Sequence, residues 1–363
     1  MAQVPEGLSQ LVRWLFPGGT VAAVEALAPD TGRGETRKVE GYGVPLRVVV
    51  RDPDGATRVL VFRTATANAF GHDRRSDRAQ GMLLAFDTFP RIPGHVEALD
   101  VGAILPGGRL LSLREGGEFY LLTTFAEGGI YAEDLRRVAG RGACTATDRE
   151  RCEALARWLA GLHREKIDDP DGYRRAVRDL LGHGEGIFGM VDAYGPGVPA
   201  APPERLQGIE QGCLAWRWRL RGEEGRLART HGDFHPFNVV FEEGPGARFT
   251  LLDASRGCQG DPADDVTCMA VNYVFFAIDR PGSWARGLAP LWRRFWEVYL
   301  AESGDRDVLA VAPPWLAWRC LVLSSPRFYP NLPAPARDAL LGLAERALTS
   351  PRFDPESAEE LFR

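Results

Sequence analysis

Apolar residues follow two different rhythms along the chain. Toward the N-terminus they gather in short runs, and residues 20–28, 46–51, 58–64 and 118–125 are predicted as strands from their Val, Leu, Phe and Thr content. Asp52-Pro53-Asp54-Gly55 separates two of them with a strong turn signal, which implies a small antiparallel sheet. Ser76 to Phe86 reads as a helix with Met82, Leu83 and Phe86 packing inward. Further on the period becomes helical. Asp148 to Lys166 carries Cys152, Leu155, Ala156, Leu159 and Leu162 on one face. Tyr173 to Leu181, several stretches of 284–348 and the short segment Asp354 to Arg363 are also expected to be helices. Between these lies one more strand, Phe249-Thr250-Leu251-Leu252, which runs into Asp253.

Candidate chemistry sits just before that strand. His231-Gly232-Asp233-Phe234-His235-Pro236-Phe237-Asn238 fits H-x-D-x-x-x-x-N, the spacing that places a carboxylate beside a metal ligand in a phosphoryl-transfer loop. Such a reaction needs an acceptor hydroxyl held in line, a carboxylate for its proton, and Mg²⁺ against the phosphate charge. Asp233 suits the carboxylate, Asn238 offers a neutral oxygen ligand, and Asp253 an anionic one. Either Asp233 or Asn238 alone would be an ordinary loop former; the ordered set is the signal. His231 and His235 lie four apart, but Gly232 and Pro236 oppose a helix, and no third ligand has zinc-like spacing.

With Gly260-Asp261-Pro262-Ala263-Asp264-Asp265 downstream, these motifs resemble the aminoglycoside phosphotransferase and choline kinase branch of the kinase-like fold. The resemblance implies an α+β, two-lobed, protein-kinase-like fold, with a small antiparallel β N-lobe over 1–125 and a larger, mainly helical C-lobe over 126–363. It implies transfer of the γ-phosphate of ATP, or of GTP, to a hydroxyl of a small molecule such as a sugar, amino alcohol or aminoglycoside-like compound, with Mg²⁺ held by Asn238 and Asp253. His231 and His163 would be structural, and Asp264 and Asp265 would cap the helix that follows them. The strand ending at Phe125 would run into a hinge, so Thr124, Phe125 and Ala126 would flank the nucleotide base.

The N-terminal part departs from the family pattern. The phosphate-contacting lysine of the third strand is replaced by Arg63, and only Lys38 and Lys166 are lysines among 44 Lys and Arg residues. Arginine keeps the charge and binds phosphate bidentately, but it is bulkier and planar. Arg63 does the lysine's work, or Lys38 reaches in from the preceding loop, or the protein binds nucleotide with impaired turnover. That last case is the rival reading, a catalytically impaired nucleotide-binding protein. The usual helix glutamate is also missing from 76–86, leaving Asp77 or Gln80. Gly32-Arg33-Gly34 and Gly41-Tyr42-Gly43 are either phosphate loops or simple turns, neither being G-x-G-x-x-G.

Composition fits two lobes: 363 residues, 45% hydrophobic and 26% charged. A net charge of −5 disfavours a nucleic-acid role. Met1 to Gly19 lacks signal-peptide character, the longest apolar stretch is far too short for a bilayer, and six cysteines form no C-x-x-C pair. The expectation is a cytoplasmic protein with reduced thiols and no membrane or nucleic-acid partner. No A-P-E element follows Asp253, which argues against a protein kinase. Trp284, Trp292, Trp296, Trp315 and Trp318 read as core before they read as a stacking surface. Arg286, Arg293, Arg294, Arg319 and Arg327 outnumber Glu297 and Asp305, the notable acidic residues of that region, which favours a neutral or anionic acceptor over a cationic one.

Overall fold

Alternation along residues 46–51 organises the first part of the molecule. In the computed structural model, which describes residues 5–27, 43–244, 246–254 and 256–363, the chain divides into two units, Met1–Thr123 and Thr124–Arg363. Helix α1 (Leu8–Leu15) precedes β1 (Thr20–Ala26), β2 (Leu46–Arg51) and β3 (Thr57–Phe62), an antiparallel sheet with β2 at its centre and Val48 opposite both Val24 and Leu60. Leu46, Val48 and Val50 all fall on one face, as a period of two demands, and pack with Leu8 and Val12 of α1. The expected turn closes β2 onto β3, with Gly55 N–H donating to Asp52 O at 3.0 Å and Ala56 N–H to Asp54 Oδ1 at 3.0 Å.

Helix α2 (Arg75–Thr88) matches the expected segment, but none of its residues is fully buried; Met82, Leu83 and Phe86 are half-buried. Asp77 accepts from the Arg74 amide at 2.8 Å, the ordinary helix-start role. A hairpin of β4 (Gly102–Ile104) and β5 (Leu110–Ser112) follows. Residues 118–125 correct an expectation: they form no strand. Apolar content favours a strand only where a neighbour completes the ladder. This segment has no ladder partner among the described residues, and Tyr120, Leu121 and Leu122 are exposed. Lys38, Gly32-Arg33-Gly34 and Gly41-Tyr42 lie outside the described residues.

The second unit opens with β6 (Gly129–Ile130), then α3 (Tyr131–Arg141), α4 (Ala146–Leu162), α5 (Pro170–Gly182), α6 (Ile187–Asp192) and α7 (Pro203–Arg219). Four short strands carry the loop region: β7 (Ala228–Arg229), β8 (Val239–Phe241), β9 (Phe249–Leu251) and β10 (Gln259–Gly260). Helices α8 (Pro262–Ile278), α9 (Ala289–Ser303), α10 (Val308–Leu323) and α11 (Ala334–Thr349) follow, and a 3₁₀ turn at Pro355–Phe362 is the short terminal helix expected. α4 packs on α9, and α10 on both α8 and α11.

α8 is buried along almost its whole length, as an all-round apolar helix must be. The amphipathic pattern of 148–166 becomes α4, started by reciprocal hydrogen bonding between Thr145 and Asp148. α10 contains Pro313 and Pro314. Pro313 cannot donate to Leu309 O, and the Phe353 amide occupies that carbonyl instead at 2.8 Å. All five tryptophans of 284–348 are buried, as the core reading requires.

Candidate active site

A buried carboxylate fixes the loop. Asp265, in the first turn of α8 and fully buried, accepts from His231 N–H at 2.7 Å and Gly232 N–H at 2.8 Å. His163, at the end of α4, presents Nε2 to the same carboxylate at 3.2 Å and Nδ1 to the Tyr299 hydroxyl at 2.8 Å. Burial pushes the Asp265 carboxyl up, but His163 and the two loop amides outweigh it and hold it below the usual carboxylate range. Asp265 was expected to cap α8. Asp261 does that instead, accepting from Ala263 N–H at 2.9 Å while Arg226 and Tyr173 satisfy its remaining lone pairs. The exchange follows from position: Asp261 is outside the helix, where a side chain can fold back on the first amides, and Asp265 already faces away from them.

Gly232 is required at the loop's tightest point. Its φ is +84°, and a Cβ there would meet Gly257 O at 2.7 Å. The His231 ring packs edge-on against Phe234, which stacks on Trp158, so His231 orients the loop. His235 packs on Phe237 instead. Among the described residues, no group of three or more His, Cys, Asp or Glu is placed to hold a metal ion.

Asp233 leaves this clamped loop half-buried. Its Oδ1 accepts from Arg319 Nη1 at 3.0 Å and Arg256 Nη1 at 3.2 Å, with Cys268 Sγ at 3.9 Å, while Oδ2 has His235 Nε2 at 3.4 Å. Burial raises this carboxyl's pKa, but the His235 hydrogen bond and the Arg319 and Arg256 charges prevail and hold it well below the usual range. Asp264 lies behind, 2.5 Å from Arg319 Nη2, and burial pushes its carboxyl up against the pull of both arginines. It too was expected as a helix cap and serves as a counter-charge.

The β8–β9 hairpin returns the chain as expected, with Val239 opposite Leu251 and Phe241 opposite Phe249. Leu252 N–H donates to Asn238 O at 2.9 Å, so Asn238 and Asp253 meet at one end of it. Asn238 Nδ2 donates to Asp233 O at 3.0 Å and reaches Asp253 O at 3.4 Å, which turns its Oδ1 away from those carbonyls. Asp253 is exposed and holds a left-handed backbone, φ 39°, the one non-glycine residue with positive φ among those described. A neutral amide oxygen and an exposed carboxylate form a hard-oxygen donor pair that fits Mg²⁺ completed by phosphate and water.

Thr124, Phe125 and Ala126 lead into β6, whose Gly129 pairs with Phe241 of β8; Phe125 is exposed, and the three make no contact with Asp233, Asn238 or Asp253 among the hydrogen bonds described. Arg63 belongs to the first unit, exposed one residue past β3. Sequence reasoning missed Arg256 and the direct role of Arg319. The signal for Arg319 was present: it is the single charge in Val308–Leu323.

The second unit thus holds the H-x-D-x-x-x-x-N segment as a clamped loop that brings Asn238 beside Asp233 and Asp253. A family model described as the phosphotransferase enzyme family (APH) matches residues 86–301, more than half of the chain, and the chain belongs to that family. It is accordingly an enzyme of the small-molecule kinase class, with an α+β protein-kinase-like fold. Solved structures similar to it include a glucosamine kinase (16% identity over 94% of this chain and 98% of that one, TM-score 0.42). An amicoumacin kinase (13%, 92% and 91%, 0.39) and an ethanolamine kinase of Plasmodium vivax (11%, 91% and 82%, 0.35) are others. None is similar enough to transfer a substrate. Comparison with curated protein sequences gave no match.

Proposed function

We propose that this enzyme moves the γ-phosphate of ATP, with GTP as the alternative donor, to a hydroxyl of a small molecule. The observation that carries the reading is the meeting of Asp233, Asn238 and Asp253 at one end of the β8–β9 hairpin, on a loop held by Asp265. Asn238 Oδ1 and the Asp253 carboxylate would hold Mg²⁺, which when bound neutralises the phosphate oxygens.

Asp233 receives the acceptor hydroxyl at Oδ2, because Oδ1 is already occupied by two guanidinium groups. A carboxylate held below its usual pKa is a weak base. It therefore orients the hydroxyl for in-line attack and takes its proton late, as a loose phosphoryl transition state permits. Arg63 would contact the donor phosphates in place of lysine, and Thr124, Phe125 and Ala126 would flank the base. No described helix is long and apolar enough to cross a membrane.

The test is ADP release from Mg·ATP with pooled sugars, amino alcohols, nucleosides and aminoglycosides. Asp233→Asn should lower turnover by about 10³-fold or more while calorimetry still shows nucleotide binding. Asp253→Ala should impair both. Turnover surviving in Asp233→Asn would remove Asp233 from the reaction.

A further inference from the structure

The acceptor hydroxyl, on the reading just given, must come to Asp233 Oδ2, so the rest of the acceptor lies beside whatever surrounds that atom. What surrounds it is basic. Arg256 and Arg319 both hold Asp233 Oδ1, and His235 faces Oδ2. Both guanidinium groups lie over the Trp318 ring, at 4.4 and 4.0 Å from its centroid, which keeps them beside Asp233.

The donors of this cluster outnumber its acceptors. Arg319 is 5% exposed and its Nε has no hydrogen-bond partner; Arg256 Nη2 is likewise buried and unpartnered, with Asp264 Oδ1 at 3.5 Å. Buried N–H groups left unmatched are costly, and a ligand oxygen is the simplest remedy. Among the described residues Asp264 is the other counter-charge to both arginines, and with Asp233 it still leaves Arg319 Nε and Arg256 Nη2 without a hydrogen bond. The two arginines are not equivalent. Arg319 is locked by a 2.5 Å bond to Asp264, whereas Arg256 is more exposed and makes single contacts at 3.2 and 3.5 Å, so Arg256 can turn toward a newcomer. An ammonium group brought here meets like charge, and an uncharged group leaves the spare donors unpaired.

We propose that the acceptor carries an oxyanionic group, a carboxylate or a phosphate ester, next to the hydroxyl that is phosphorylated, and that Arg256, backed by Arg319, receives it. The inference rests on Asp233 being the acceptor-binding carboxylate. It gives Arg256 a specificity role distinct from the transfer itself.

Matched probes test it with the full-length protein. Glucose, glucosamine, glucuronate and glucose 6-phosphate form one set; glycerol, glycerate and glycerol 3-phosphate form another. Each is measured by calorimetric binding and by ADP release with Mg·ATP. The anionic member should bind at least about tenfold more tightly than its neutral or amino counterpart, the worth of one charge-assisted contact. The better of carboxylate and phosphate ester identifies the group. Arg256→Gln should erase about tenfold of that preference, and Arg256→Glu should turn it toward glucosamine. Equal or better binding of neutral or amino probes overturns the inference even if one of them is phosphorylated, as does an anion preference that survives Arg256→Gln. Anion binding without ADP release would instead uphold the inference and refute phosphoryl transfer. Silence from every probe overturns the inference as stated.

Discussion

At the scale of single residues, Asp265 matters as much as Asp233. One carboxylate satisfies two loop amides and a histidine in a fully buried place, so its loss leaves several unpaired donors at once. Asp265→Asn should cost about 3 kcal/mol of stability at neutral pH. The pH dependence has a definite sign. A carboxyl whose folded pKa is depressed gives stability that is present above its unfolded value, near 4, and lost as pH falls through the folded value. Denaturant unfolding at pH 7 and pH 3 should therefore show the mutant's deficit shrinking in acid, and an equal deficit at both would refute the assignment. Asp233, Asn238 and Asp253 were legible in the sequence because their spacing is local. Arg319 stood out as the single charge of its helix, but its partner did not, because it meets Asp233 across 86 residues, through the packing of α10 on α8.

Elements were legible where periodicity and termination agreed. α4 had a helical apolar face and a start signal in Thr145-x-x-Asp148, and it formed where expected. Thr145→Ala should cost about 1 kcal/mol, read as a lowered unfolding midpoint with unchanged slope. The loop between β7 and β8 is less forgiving. Gly232→Ala combines a left-handed backbone with a Cβ 2.7 Å from Gly257 O, so it should abolish turnover while circular dichroism retains native helix content. Residues 118–125 show the converse case. Their composition suits a strand, yet strand formation belongs to the pair, and no sequence window contains the missing neighbour. The exchange of cap between Asp261 and Asp265 has the same origin: both lie near the start of α8, and tertiary partners decide which one faces its amides.

For the whole molecule, the two units have separate cores. Leu46, Val48 and Val50 with Leu8 and Val12 form one, and a far larger cluster from α3 to the terminal 3₁₀ turn forms the other. Val48→Ala should cost about 2 kcal/mol and raise amide exchange in β1–β3 while the helices of the second unit keep their protection. Faster exchange in α8 would show that the cores unfold as one. The sequence announced the buried tryptophans. It did not announce the ionic cluster on Trp318, whose members come from three separate stretches of chain. The chain of contacts from Tyr299 through His163 and Asp265 to the backbone of residues 231 and 232 carries one last implication. It makes a buried phenol a gauge of the loop: an isotope label on the Tyr299 ring would register ligand-induced adjustment of the peptide units beside Asp233 without a probe touching the loop itself.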